Sequence, residues 1–183
     1  LSVGAIAGYS KAMIKYKLNK QAEQISWLLN VMYRYKDLLG QDKQWTSFVP
    51  YFKKLGEIPQ EMIKDNSDNI YDSFGINYVI ITNGCSPTCL YADMSIEMSN
   101  DYKNFDICNN ILETSKPFAD QLNNVTIWES ESNIGLAGLA GNAVCGSNHD
   151  KCLKDITKND IYDICRLCAD KGCSFNFQYK IKD

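Results

Sequence analysis

The chain has 183 residues, 45% of them apolar, with a formal net charge of −3 and a pI of about 5.2. That length and apolar fraction suit one globular domain, or one domain with an extension. An acidic balance without a basic patch argues against a nucleic-acid surface, and the lysines spread around the first helix read as solvated.

Residues 1–40 read as one long helix with two surroundings. Leu1-Ser-Val-Gly-Ala-Ile-Ala-Gly8 is small, apolar and uncharged; Lys11, Lys15, Lys17, Lys20, Glu23, Arg34 and Lys36 follow. An apolar stripe runs on through the charged part: Ile14, Leu18, Ala22, Ile25, Leu29, Met32 and Leu39. Its steps of three, four and seven place it on one face of a 3.6-residue period, facing a sheet or neighbouring helices. No proline interrupts the run, and Gly40 marks its stop. About forty residues at 1.5 Å each make a rod of roughly 60 Å, so one end is expected to protrude. The apolar start is far shorter than the roughly twenty residues that cross a bilayer. Residues 1–10 therefore predict an end held in lipid or in a protein bundle, and residues 41–183 a separate head.

The head begins with a connection. Trp45-Thr-Ser-Phe-Val-Pro-Tyr-Phe-Lys-Lys-Leu55 predicts a short helix, Gly56-Glu-Ile-Pro59 a turn, Gln60 to Lys64 one helical turn, and Asp65-Asn-Ser-Asp-Asn69 a loop. Strand signals follow. Ile76-Asn-Tyr-Val-Ile-Ile-Thr82 is rich in β-branched and aromatic residues, and Ala92-Asp-Met-Ser-Ile-Glu-Met98 alternates, with Met94, Ile96 and Met98 on one face. Between them, Asn83-Gly-Cys-Ser-Pro-Thr-Cys89 predicts the turn of a hairpin. Asn104 to Asn123 predicts a helix capped by Asn104 or Asp106 and kinked or split at Pro117. Val125-Thr-Ile-Trp-Glu129 is a third strand and Ser130 to Gly141 a loop. The Gly/Ala run in that loop lacks the Lys-Ser/Thr ending of a phosphate loop, and no cofactor is expected. Asp160 to Lys171 predicts a helix ended by Gly172. Cys173 to Ile181 predicts a last strand, with Phe175, Phe177, Tyr179 and Ile181 alternating against polar residues. The fold class expected is α+β: a long N-terminal helix packed on a four-stranded, mainly antiparallel sheet, with two further helices and disulfide-rich loops.

Eight cysteines, Cys85, Cys89, Cys108, Cys145, Cys152, Cys165, Cys168 and Cys173, all lie beyond the long helix. A zinc site can be drawn from Cys145, His149, Cys152, Cys165, Cys168 and Cys173, but the spacing is not a paired C-x-x-C, so four disulfides are expected and no metal. Proximity in sequence suggests Cys85–Cys89 and Cys145–Cys152; Cys108 then meets Cys165 or Cys168, and Cys173 takes the other. No catalytic constellation is evident. His149 is the sole histidine and sits in a polar loop. Cys165-Arg-Leu-Cys168 lies late in a helix rather than at a helix start, and Glu129 and Glu131 form no acid–base pair. An enzyme is therefore not expected.

These features together resemble a type IV pilin. Leu1 to Tyr9 is similar to the end of that family's N-terminal hydrophobic segment. Leu55-Gly-Glu-Ile-Pro-Gln-Glu-Met62, then Asn69-Ile-Tyr-Asp-Ser-Phe-Gly75 ahead of a strand, resembles the type IVb group, although the second glycine often seen there is replaced by Ile76. The resemblance implies a basic leader, a Gly–Phe cleavage junction and a Glu upstream of Leu1, about four further turns of helix. It also implies a filament-core role for Leu1, Val3, Gly4, Ala5, Ile6, Ala7, Gly8, Tyr9 and Met13, whose small members let neighbouring helices approach. The function implied is a structural subunit of an extracellular filament on the bacterial cell surface. Its partners would be copies of itself, the inner membrane before assembly, and the assembly machinery. A minor pilin or a type II secretion pseudopilin shares these features, and an exported, disulfide-rich, membrane-anchored binding domain is the remaining alternative.

Overall fold

The computed structural model describes residues 3–41, 45–86, 88–98, 105–130, 132, 134–146 and 151–181. Leu1, Asn104, Glu131 and His149 lie outside the described residues. Helix α1 spans Val3–Tyr35 and passes into a 3-10 helix at Lys36–Gln41, so the α-helix ends earlier than Gly40 and tightens instead of stopping. From Gln21 onward its head-facing side is buried: Gln21, Gln24, Ile25, Leu28, Leu29, Val31 and Met32.

Residues 45–48 lie outside the helix, with a turn at Trp45 (φ 64°) and a single β-bridge at Ser47. Ser47 bridges Ile81, and the Trp45 and Phe48 amides donate to the carbonyls of Thr82 and Ile80. Helix α2 is the shorter Val49–Leu55, with Pro50 in its first turn, where no amide is missed, and Gly56 at φ 70° behind it. A 3-10 turn at Gln60–Met62 and the two-residue strand β1, Ile70–Tyr71, complete the connection.

The sheet has seven strands rather than four. After β1 come β2 (Asn77–Cys85), β3 (Cys89–Glu97), β4 (Asn124–Glu129), β5 (Gly135–Ala140), β6 (Lys151–Cys152) and β7 (Cys173–Lys180). Their spatial order is β1-β2-β3-β7-β4-β5-β6. Every pairing is antiparallel except β5 with β6, so the sheet is mixed. Strand β5 falls where a loop was expected. Gly135-Leu-Ala-Gly-Leu-Ala140 has no β-branched residue to announce it, and pairing with β4 holds it in place, Val125 opposite Leu139 and Thr126 opposite Gly138. Glycine is required just after it: a Cβ on Gly141 would lie 1.7 Å from the Leu122 carbonyl oxygen.

Four α-helices are described rather than three. Helix α3 is Phe105–Ser115, and Pro117 sits in a following 3-10 turn, Lys116–Phe118, so the expected helix is split. Helix α4 is Lys158–Lys171. It begins two residues before Asp160 because Thr157 caps it: Thr157 Oγ1 accepts from the Asp160 amide, and Asp160 accepts from the Thr157 amide in return. Gly172, at φ 71°, ends it.

Alternation along the strands gives the sheet a wet face and a dry one. Tyr78, Ile80, Met94, Ile96, Val125, Ile127, Phe175, Phe177 and Tyr179 are buried and form one cluster with α1, α3 and α4. Helix α1 lies beside α3, and α3 beside α4. The outer face carries Val79, Ser95, Asn176 and Thr126 in one row, and Ile81, Asp93, Gln178 and Asn124 in the next.

All eight cysteines are paired: Cys85–Cys89, Cys108–Cys165, Cys145–Cys152 and Cys168–Cys173. Cys108–Cys165 ties α3 to α4, and Cys168–Cys173 ties α4 to β7. Cys145 and Cys152 approach Asp155 closely, but their sulfurs are bonded to each other and hold no lone thiolate for a metal.

Candidate functional site

The feature that sets this chain apart from a simple α+β domain is the free portion of α1. Residues 3–16 are exposed on all sides, and burial against the head starts with Leu18 and Gln21. Val3, Gly4, Ala5, Ile6, Ala7, Gly8, Tyr9 and Met13 all stand on this free portion. A Cβ added at Gly4 or Gly8 would touch nothing within 4 Å. Of the residues expected to pack on the sheet, Ile25, Leu29 and Met32 are fully buried, while Leu18 and Ala22 are half-buried. Ile14 is not packed: it is 45% exposed, because the stripe continues beyond the edge of the head.

A second seam, which the sequence reading missed, runs along another side of the same helix. Ile6, Tyr9, Met13, Tyr16, Lys20, Glu23 and Trp27 follow one another at alternating steps of three and four, the spacing of a coiled-coil seam. Every apolar or aromatic member is exposed, from Met13 at 36% to Tyr9 at 69%. The signal was present as heptad spacing, but the stronger Ile/Leu stripe drew the assignment. At its upper end the seam enters an open groove of about 490 Å³ between α1 and residues 53–63. Trp27 forms one wall and donates from its indole nitrogen to the Glu57 carbonyl at 2.7 Å. Lys20 crosses the groove to Glu61 at 2.9 Å, which raises the lysine pKa and lowers that of the glutamate.

Charge divides along the same line. Lys11, Lys15, Lys17 and Lys20 are the only charged residues among the first 22, which leaves 15 basic against 22 acidic residues in the rest, a net −7. A basic stalk thus emerges from an acidic head.

A buried polar clamp sets the point of emergence. The Asp72 carboxylate, 5% exposed, accepts from the Phe74 and Ile76 amides at 2.8 and 3.0 Å, from Gln21 Nε2 at 2.6 Å and from the Tyr78 hydroxyl at 3.1 Å. Gln24 Oε1 accepts from the Ser73 amide, and Ser73 Oγ donates to the Lys17 carbonyl. From α3, Asn110 Nδ2 donates to the Leu18 carbonyl and to Gln21 Oε1, each at 2.9 Å. Burial holds the Asp72 pKa above the ordinary aspartate value, with the donors pulling the other way, and it pushes the Tyr78 phenol well up. Deeper in, the buried Tyr179 hydroxyl donates to the Leu29 carbonyl. The stretch before Gly75 that drew attention in the sequence is therefore where the head grips the helix.

No known protein family, no curated protein and no solved structure matches this chain. No helix among the described residues is long and apolar enough to cross a membrane.

Proposed function

We propose that this chain is a structural subunit of an extracellular filament of the type IV pilin kind, assembled from copies of itself through α1. The reading rests on one observation: an exposed apolar seam on a stalk that a satisfied polar clamp holds rigidly to its head. An apolar face of this kind loses its contact with water when helices of several copies pack together, at roughly 25 cal/mol per Å² buried. The small residues at its start permit close approach. Repeated head-to-tail contact gives an open helical filament, and the opposite charges of stalk and head favour that order over head-to-head contact. Before assembly the subunit would wait in the inner membrane, anchored by an apolar run upstream of Leu1, for the assembly machinery to extract it.

The deciding experiment is intact-mass and N-terminal analysis of native protein recovered from sheared cell-surface material. An N-methylated residue about fifteen positions before Leu1, completing a run long enough to span a bilayer, is the expected result. A native chain that keeps an uncleaved leader and never leaves the membrane overturns the filament reading.

A further inference from the structure

The groove between α1 and residues 53–63 has the size of a ligand pocket, about 490 Å³. Its apolar part is small: Trp27 on one side, and Ile58, Pro59 and Ile63 on the other. Trp27 is 48% exposed, yet its ring is held in place, because the indole nitrogen donates to the Glu57 carbonyl at 2.7 Å. With its one donor satisfied, the indole offers the groove only carbon surface. The rim is polar and balanced, Lys20 and Lys53 standing with Glu23 and Glu61. Lys20 Nζ lies 2.9 Å from Glu61 and 3.5 Å from Glu23. Both carboxylates remain open to solvent, with side-chain exposures of 46% and 71%, and so keep accepting capacity. Gln60, also exposed, adds an amide that both donates and accepts.

We infer that this groove binds a neutral pyranose ring of a glycan, stacked on Trp27 with its hydroxyls on Glu23, Gln60 and Glu61. A pyranose has one face of C–H bonds and an equator of hydroxyls. The C–H face suits the electron-rich face of an indole. The hydroxyls both donate and accept, which suits a rim that mixes carboxylates, an amide and an ammonium. Hydrogen bonds from hydroxyl to carboxylate are of the stronger, charge-assisted kind. Binding of this sort needs one copy only and is independent of assembly through the free portion of α1.

Other ligand chemistries meet an obstacle in the groove itself. An aliphatic ligand would strip water from the Lys20–Glu61 pair, which crosses the groove, and return no hydrogen bond. An organic cation is drawn to an indole face, but here it meets the Lys20 ammonium beside that face. An anion meets Glu23 and Glu61, and Lys20 is already committed to both of them. Lys53 is turned away to the carbonyls of Asp65 and Ser67. Two lysines against two glutamates leave no net charge to favour either ion, and a neutral polyhydroxyl ring is the chemistry that remains.

The test titrates maltohexaose, cellohexaose and chitohexaose into the disulfide-intact chain, followed by tryptophan emission and by proton NMR of the sugar. At least one of the three is expected to bind, with upfield shifts of its ring C–H protons, the signature of protons lying over an aromatic face. Trp27→Ala is expected to weaken that binding about tenfold or more, while Trp45→Ala and Trp128→Ala leave it unchanged. Glu23→Ala, at an exposed position, is expected to weaken it severalfold and serves if Trp27→Ala fails to fold. Absence of binding by all three sugars overturns the inference, as does binding that neither Trp27→Ala nor Glu23→Ala weakens. A groove that instead receives a second copy of the chain would show as lost self-association in Trp27→Ala without any sugar binding, and that result overturns it too.

Discussion

Asp72 illustrates how a single side chain fixes the direction of a long helix. Its four donors come from α1, from β2 and from its own loop, so removing the carboxylate strands all of them at once. Asp72→Ala should cost about 3 kcal/mol, read as a fall in the urea midpoint, with Asp72→Asn costing less because one acceptor survives. Asp93 is buried as well, and its donors are the side-chain amides of Asn83 and Asn176. Its folded pKa is raised by burial, so its contribution to stability is fully present below the unfolded value near 3.8 and is lost as pH rises through the folded pKa. Asp93→Asn should therefore be more stable than wild type at neutral pH, and the advantage should vanish in acid; urea melts at several pH values measure this. Little of this was legible in the sequence. Gln21 and Gln24 stand on the buried face among leucines and isoleucines, but a periodicity count tuned to apolar residues passed over them in favour of Ala22 and Ile14.

At the scale of elements, legibility followed the strength of the period. Strands β2, β3 and β7 and helix α4 are strongly patterned, and the sequence located them to within a few residues, whereas α3 was expected to run to Asn123 and ends at Ser115. Strand β5 is Gly/Ala-rich, and strands β1 and β6 are two residues each; their positions come from partners across the sheet rather than from local preference. Helix α1 was legible as a helix, but where the head lets go of it was not, because the apolar stripe continues past the head. The two portions should respond differently to mutation. A charge at Leu29, which is fully buried, should cost about 4 kcal/mol or more and prevent folding. Tyr9→Ser with Met13→Ser should leave the thermal midpoint of the head nearly unchanged while abolishing self-association, measured by sedimentation and by electron microscopy of filaments. A double variant that still assembles would remove α1's seam from the interface.

Across the whole molecule, covalent ties and blunt edges divide the labour. Among the described residues the sheet is bounded by β1 and β6, two residues each, which offer little edge for a further strand. The four disulfides were legible as pairs because proximity in sequence leaves few sensible partners, although the choice between Cys165 and Cys168 for Cys108 required the packing of α3 on α4. Replacing Cys108 and Cys165 together by alanine should lower stability by about 2–5 kcal/mol, measured by denaturant titration against the oxidised parent. The same bond has a mechanical meaning. A load arriving along α1 enters the head where Gln21, Gln24 and the Lys17 carbonyl are tied to residues 72 and 73. Should the head nevertheless yield, the 57-residue span between Cys108 and Cys165 cannot pay out, and about 200 Å of contour is withheld. Stretched from its ends in a force spectrometer, the oxidised chain should stop short by that length, and reductant should release it. The molecule would then behave as a tether with a built-in limit to its extension.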